Sequence, residues 1–93
     1  MRKIDCIPRA IRKNRRFEIY DTHRDWDGIT SYINNTDRDI YLKIKVEWGD
    51  EYTEIPANDY IIDLADETGR EKQKALYKGK FEEITKEEYE MAT

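Results

Sequence analysis

The sequence predicts an α+β fold: an antiparallel sheet of about four or five strands, one packed helix and a short C-terminal helix. Three observations carry that reading. Ile40, Leu42, Ile44, Val46 and Trp48 alternate with Tyr41, Lys43, Lys45 and Glu47, the period of a strand with one greasy and one wet face. Trp26, Ile29 and Ile33 follow the i, i+3, i+7 spacing of one helix face. Thr85 and Glu88 stand three apart, as in the reciprocal cap that starts a helix.

Residues 1–16 read as an extended basic arm, because Pro8 disfavours the helical conformation at Ile7. Residues 17–93 form the body. Phe17 and Ile19 alternate with Glu18 and Tyr20 and suit a first strand. The expected helix begins at Asp25 as N-cap, with Asp27 in its first turn, where the helix dipole favours a carboxylate. Gly28 weakens it by up to ~1 kcal/mol, so it must dock on a sheet to persist. The alternating run then turns at Gly49-Asp50 and returns as Tyr52–Ile55.

The Pro-Ala-Asn-Asp break at 56–59 reads as a structural bend, since proline cannot donate to a ladder and Asn-Asp favours turns. Tyr60, Ile62 and Leu64 then share one face of a further strand. From Glu71 to Lys80 no period is clear, and residues 75–84 read as an edge strand guarded by lysines. The expected core is Trp26, Ile29, Ile33, Ile40, Leu42, Ile44, Val46, Trp48, Ile62 and Leu64.

Ninety-three residues allow one domain, and a 41% charged composition leaves a thin apolar supply that seven tyrosines and two tryptophans supplement. A single cysteine, Cys6, leaves no disulfide framework and no multi-cysteine zinc site. No apolar run approaches the ~20 residues of a membrane span, and no signal peptide is evident, so a soluble cytoplasmic protein is expected. Charge is uneven. Residues 1–25 hold eight Lys/Arg against four Asp/Glu, and residues 26–93 hold nine against seventeen.

The densest polar cluster surrounds the only histidine, His23, with Asp21, Asp25 and Asp27. An imidazole beside a carboxylate suits general-base work or metal binding. The helix start already accounts for Asp25 and Asp27, however, and no phosphate-cradling glycine loop, nucleophile elbow or cysteine pair accompanies them. The expectation is therefore a binding protein without catalytic residues, metal or cofactor. Its partner-binding residues are expected among Asp50, Glu51, Glu54, Asp59 and Asp63, with Tyr41 and Tyr52 as exposed aromatic anchors. Two other readings stay open. Arg12, Lys13, Arg15 and Arg16 suit an anionic ligand, such as a signalling nucleotide held between subunits of a homo-oligomer. The same basic arm also suits direct contact with nucleic-acid phosphates, although the acidic body would resist a polyanion.

Pro56, Asp59, Tyr60, Ile61 and Ile62, followed by Phe81 and Tyr89, resemble a family of small phage- and prophage-encoded proteins of Gram-positive bacteria. That family carries a P-G-D-Y-I-I turn and strand and spaced C-terminal aromatics. Asn58 stands where the family has glycine, Ala57 is an extra residue, and residues 1–15 have no counterpart. The resemblance implies a setting, the infected bacterial cell, and a mode of action. That mode is binding and blocking a host protein or protein–nucleic acid complex, as counter-defence inhibitors of the anti-CRISPR kind do. It supplies no catalytic residues.

Overall fold

A computed structural model describes residues 7–23 and 29–93, and the fold is α+β. Seven strands form two antiparallel sheets. One has the order β1-β2-β3-β6 and the other β5-β4-β7. The single sheet expected from the sequence is thus divided, and the two inner faces share a core with a helix.

The basic segment is extended as expected, but Ile7–Lys13 is hydrogen-bonded into the first sheet as edge strand β1. Pro8 is tolerated because an edge strand can spare a donor. The register with β2, Phe17–His23, slips by one residue between Ala10 and Arg12, leaving Ile11 as a bulge against the core.

The helix expected after Asp25 is corrected. Ile29–Asn34 is strand β3, paired with β2, while Asp25, Trp26, Asp27 and Gly28 lie outside the described residues. Alternation explains the difference. Thr30, Tyr32 and Asn34 are buried, and Ile29, Ser31 and Ile33 are half-buried on the opposite face. Two polar residues among the three inward positions disguise the strand, and the isoleucines of the outer face mimic a helical stripe. β-branched Ile29, Thr30 and Ile33 favour the strand.

β4, Ile40–Val46, and β5, Gly49–Ile55, form the expected hairpin, but its turn is Glu47-Trp48 and not Gly49-Asp50. Gly49, at φ 133°, takes a conformation other residues resist as the chain re-enters the ladder. Trp48 consequently leaves the core and is half-exposed, its indole donating to Glu51 at 2.8 Å.

The 56–59 bend carries the chain back to the first sheet. Asn58 sits in the left-handed region at φ 54° and donates to the Thr36 carbonyl, and the Ala57 amide donates to Asp39. Beside it, the buried Asn34 carboxamide donates to the Arg38 and Ile55 carbonyls and accepts from the Thr36 amide and hydroxyl. Every hydrogen-bonding position of that side chain is used, which fixes the crossing between sheets.

β6, Tyr60–Asp63, forms the far edge of the first sheet. Tyr60, Ile62 and Leu64 do alternate with the inward residues, but toward solvent: Ile62 is 49% and Leu64 68% exposed, so neither belongs to the core. The inward pair is Ile61 and Asp63, which continue the Tyr32 and Thr30 rows across the sheet.

α1 spans Glu67–Tyr77, where the sequence shows no clear period. Asp66 caps it by accepting from the Gly69 amide at 2.7 Å. Its end is a paired closure in which Gly79, at φ 73°, donates to Leu76 and Lys80 donates to Ala75. The buried stripe is Gly69, Lys72, Ala75 and Leu76, only one of them a large hydrophobe. At Gly69 a Cβ would lie 2.0 Å from the Leu64 carbonyl oxygen, so only glycine permits this helix to start so close to β6. The segment read as an edge strand over 75–84 therefore divides, with residues 75–77 ending α1 and Phe81–Ile84 forming β7 on β4. α2, Lys86–Ala92, is capped by Thr85 accepting from the Glu88 amide, as its sequence signature predicts.

The core joins Phe17, Ile19 and Tyr32 of the first sheet to Ile40, Leu42, Ile44 and Ile55 of the second, with Ala75 and Leu76 of α1 between. Each large apolar side chain buried there contributes roughly 1.5–3 kcal/mol before chain entropy opposes it. Ile40, Leu42 and Ile44 are central as expected. Ile29, Ile33 and Val46 are peripheral. Among the described residues, no helix is long and apolar enough to cross a membrane.

Candidate functional site

The partner-binding residues expected from the sequence do not form one group. Tyr41, Asp50, Tyr52 and Glu54 gather on the outer face of the second sheet, where Tyr41 stands opposite Glu54 and Lys43 opposite Tyr52. Glu51 pairs in register with buried Ile44, belongs to the inner face, and is held by Trp48. Asp59 lies on the distant bend. Asp63 turns inward from β6, accepting from the Tyr32 hydroxyl at 2.6 Å and the Lys72 ammonium at 3.0 Å. It is a structural carboxylate.

Tyr41 also requires correction. It is only 7% exposed, because α2 folds back across the sheet and lays Tyr89 on it, with ring centroids 4.8 Å apart. Tyr52 meets Tyr89 edge to face at 6.3 Å. No local pattern announces this docking, since Tyr89 sits in a highly charged helix with no apolar stripe. The three rings form a ridge, and carboxylates surround it. Desolvation raises the Tyr41 hydroxyl above its ordinary range, and the charges of Glu54, Asp39 and Glu90 raise it further. Asp39, Glu54 and Glu90 are exposed, as are Asp50, Glu87 and Glu88 nearby in sequence. Tyr89, Glu90 and Asp39 are thus site residues that sequence reasoning missed.

Of the alternative basic residues, Arg12 and Arg16 line one cleft with Phe17 and Glu83. Arg12 and Lys13 end β1, while Arg15 and Arg16 lie in the turn before β2, and Arg16 is paired with Glu83 at 2.5 Å. Arg9 is engaged elsewhere, with Asp21.

Asp21, considered above as a partner of His23, is buried, as is Thr30, in a polar row that runs across all four strands of the first sheet. Arg9, Asp21, Thr30 and Asp63 are successive cross-strand neighbours. Asp21 Oδ2 accepts from Arg9 at 2.9 Å and from the Tyr77 hydroxyl at 2.5 Å, and its Oδ1 accepts from Gln73 at 3.1 Å. Gln73 also donates to the Thr30 hydroxyl at 2.8 Å. Burial and the bond to Asp21 push the Tyr77 hydroxyl up to about 12. Burial, then the Asp63 charge, raises Tyr32 well above the usual phenol range. These contacts fasten α1 to the sheet. His23 ends β2, and Asp25 lies outside the described residues. Among the described residues, no group of three His, Cys, Asp or Glu could hold a metal ion.

Compared with known protein families, curated proteins and solved structures, the chain matches none.

Proposed function

We propose that this chain is a non-catalytic binding protein, and that the tyrosine ridge of the second sheet with its carboxylate rim is the contact surface. The observation that carries the reading is the convergence of Tyr41, Tyr52 and Tyr89 with Asp39, Glu54 and Glu90. Tyr52 and Tyr89, seated against the buried Tyr41, supply contact area at low entropic cost, and a rim rich in carboxylates speeds encounter with a basic groove and sets orientation. The partner fitting this chemistry is a macromolecule with a cationic groove, such as a host nucleic-acid-binding protein. The resemblance of the Pro56–Ile62 segment to phage proteins supports a counter-defence setting, in which occupying that groove blocks the host factor.

The test is affinity purification from a Gram-positive host lysate with the wild-type chain and with Glu54→Lys/Glu90→Lys. Both residues are exposed, so the variant should keep the wild-type melting temperature within about 2 °C, as surface changes do. The partner recovered with wild type should be lost with the variant, and 0.5 M salt should weaken its capture. Equal recovery by the variant would remove this surface from consideration.

A further inference from the structure

At the end of the second sheet, a cleft of about 640 Å³ opens between the hairpin and the C-terminal end of α1. Its size falls in the ~300–1,000 Å³ range of small-ligand sites. Val46 and Phe81, packed at the margin of the core, and the core residue Ala75 form its apolar floor. Five lysines line it against three glutamates, in a chain whose net charge is −4.

The ion pairs separate those lysines into two groups. Lys43 is paired with Glu82 at 3.4 Å, and Lys74 with Glu71 at 3.0 Å. Lys45, Lys78 and Lys80 form no ion pair among the described residues. They come from three different places: the end of β4, the C-cap of α1 and the connection to β7. The negative end of the helix dipole accounts for Lys78. It does not account for Lys45 and Lys80: Lys45 stands opposite Asp50 on β5, and on its other side the backbone bond from its amide to the Lys80 carbonyl, 2.9 Å, holds it beside a second lysine. Adjacent like charges across a ladder are destabilising, and a bound polyanion would reverse the sign of that cost.

We propose that this cleft binds a nucleotide, its phosphates between Lys45, Lys78 and Lys80 and its base against Phe81. Cationic side chains around the cleft and a half-buried aromatic ring on its apolar floor match the two halves of such a ligand. The site is separate from the tyrosine ridge and draws on none of its residues.

Titration calorimetry of the full chain with ATP, AMP and inorganic triphosphate at low salt tests it. Saturable ATP binding is expected, tighter than either AMP or triphosphate, with a raised melting temperature. Lys45→Gln/Lys80→Gln should weaken ATP at least tenfold. Arg12→Gln/Arg15→Gln and Glu54→Lys/Glu90→Lys should leave it unchanged, which separates this site from the partner surface. Circular dichroism of the lysine variant confirms its fold, and Lys45→Gln alone serves if the pair unfolds. No saturable binding at millimolar ATP, or binding indifferent to Lys45 and Lys80, overturns the proposal. So does triphosphate binding as tightly as ATP, which denies the base a role. A single-stranded oligonucleotide binding more tightly than ATP would replace a nucleotide with a nucleic acid and equally overturn it.

Discussion

Helix α1 lies on a bed of buried polar groups, whereas α2 is held by tyrosine rings. Beneath α1, Asp21, Thr30 and Asp63 receive Tyr77, Gln73 and Lys72, so helix and sheet are joined by directional, charge-assisted bonds. Beneath α2, Tyr89 rests on Tyr41 and Tyr52, and no residue of α2 is itself buried. Directional bonds in a dry site have an all-or-none character, because removing one partner strands the other. Ring contacts degrade gradually. The fold therefore concentrates its rigidity under α1 and leaves the proposed contact surface on an element that can be altered without unfolding the rest.

The largest effect should come from breaking the bed. Lys72 is 7% exposed and supplies the ammonium that offsets Asp63. Lys72→Ala leaves a partly buried carboxylate uncompensated, and urea unfolding should show a loss of roughly 3–5 kcal/mol. A loss under 1 kcal/mol would mean that water reaches Asp63 freely and that the contrast between the helices is false. Lys72→Met with Asp63→Asn should recover much of the loss, since both charges and their desolvation cost are removed while the Tyr32 hydroxyl keeps an acceptor.

Alkali should sharpen the contrast from the other side. Tyr77 and Tyr32 hold their protons more tightly in the folded chain than the ordinary phenol near 10. Between those limits the unfolded state binds fewer protons than the native one, so stability falls as pH rises. The contribution is complete below pH 10 and is lost progressively as pH climbs through about 12, the range set by Tyr77. Denaturant midpoints measured from pH 8 to 12 should decline in this window, and Tyr77→Phe should flatten the decline. An unchanged slope in that variant would sever Tyr77 from the effect.

Tyr89→Ala probes the other helix. Aromatic pairs contribute about 0.5–1.5 kcal/mol beyond their buried area, so a loss of roughly 1–2 kcal/mol is expected. It should leave the unfolding transition cooperative. Near-ultraviolet circular dichroism should change while the far-ultraviolet spectrum loses no more than the signal of α2. Loss of the β-sheet signal would show that α2 is integral to the core.

How much of this was legible follows the same division. The β4–β5 hairpin announced itself because its buried face is built of isoleucine, leucine and valine, and α2 because its cap is a local signature. α1 and β3 stayed hidden because their buried positions include Lys72, Gly69, Thr30 and Asn34, residues whose burial depends on partners distant in sequence. Asp66 as cap and Gly79 as terminator were the available clues to α1. The acidic candidates could be named one by one, but their sorting between Tyr41, the inner face and the Lys72 pair is a matter of strand register. Tyr89 joined the ridge only through tertiary packing.

Thr53 offers the smallest test. On the first sheet, the buried polar residues Asp21, Thr30 and Asn34 all have partners, whereas the Thr53 hydroxyl, on the inner face of the second, is buried without one among the described residues. An unpaired buried hydroxyl keeps its desolvation cost and returns nothing. Thr53→Val keeps the shape and removes the oxygen, so stability should hold or rise by up to about 1 kcal/mol. The matching change on the other sheet, Thr30→Val, removes the nearer of the two acceptors of the Gln73 amide and should cost about 1 kcal/mol instead. Opposite signs for the same chemical change would show that polar groups organise one inner face and merely occupy the other; equal signs would dissolve the distinction.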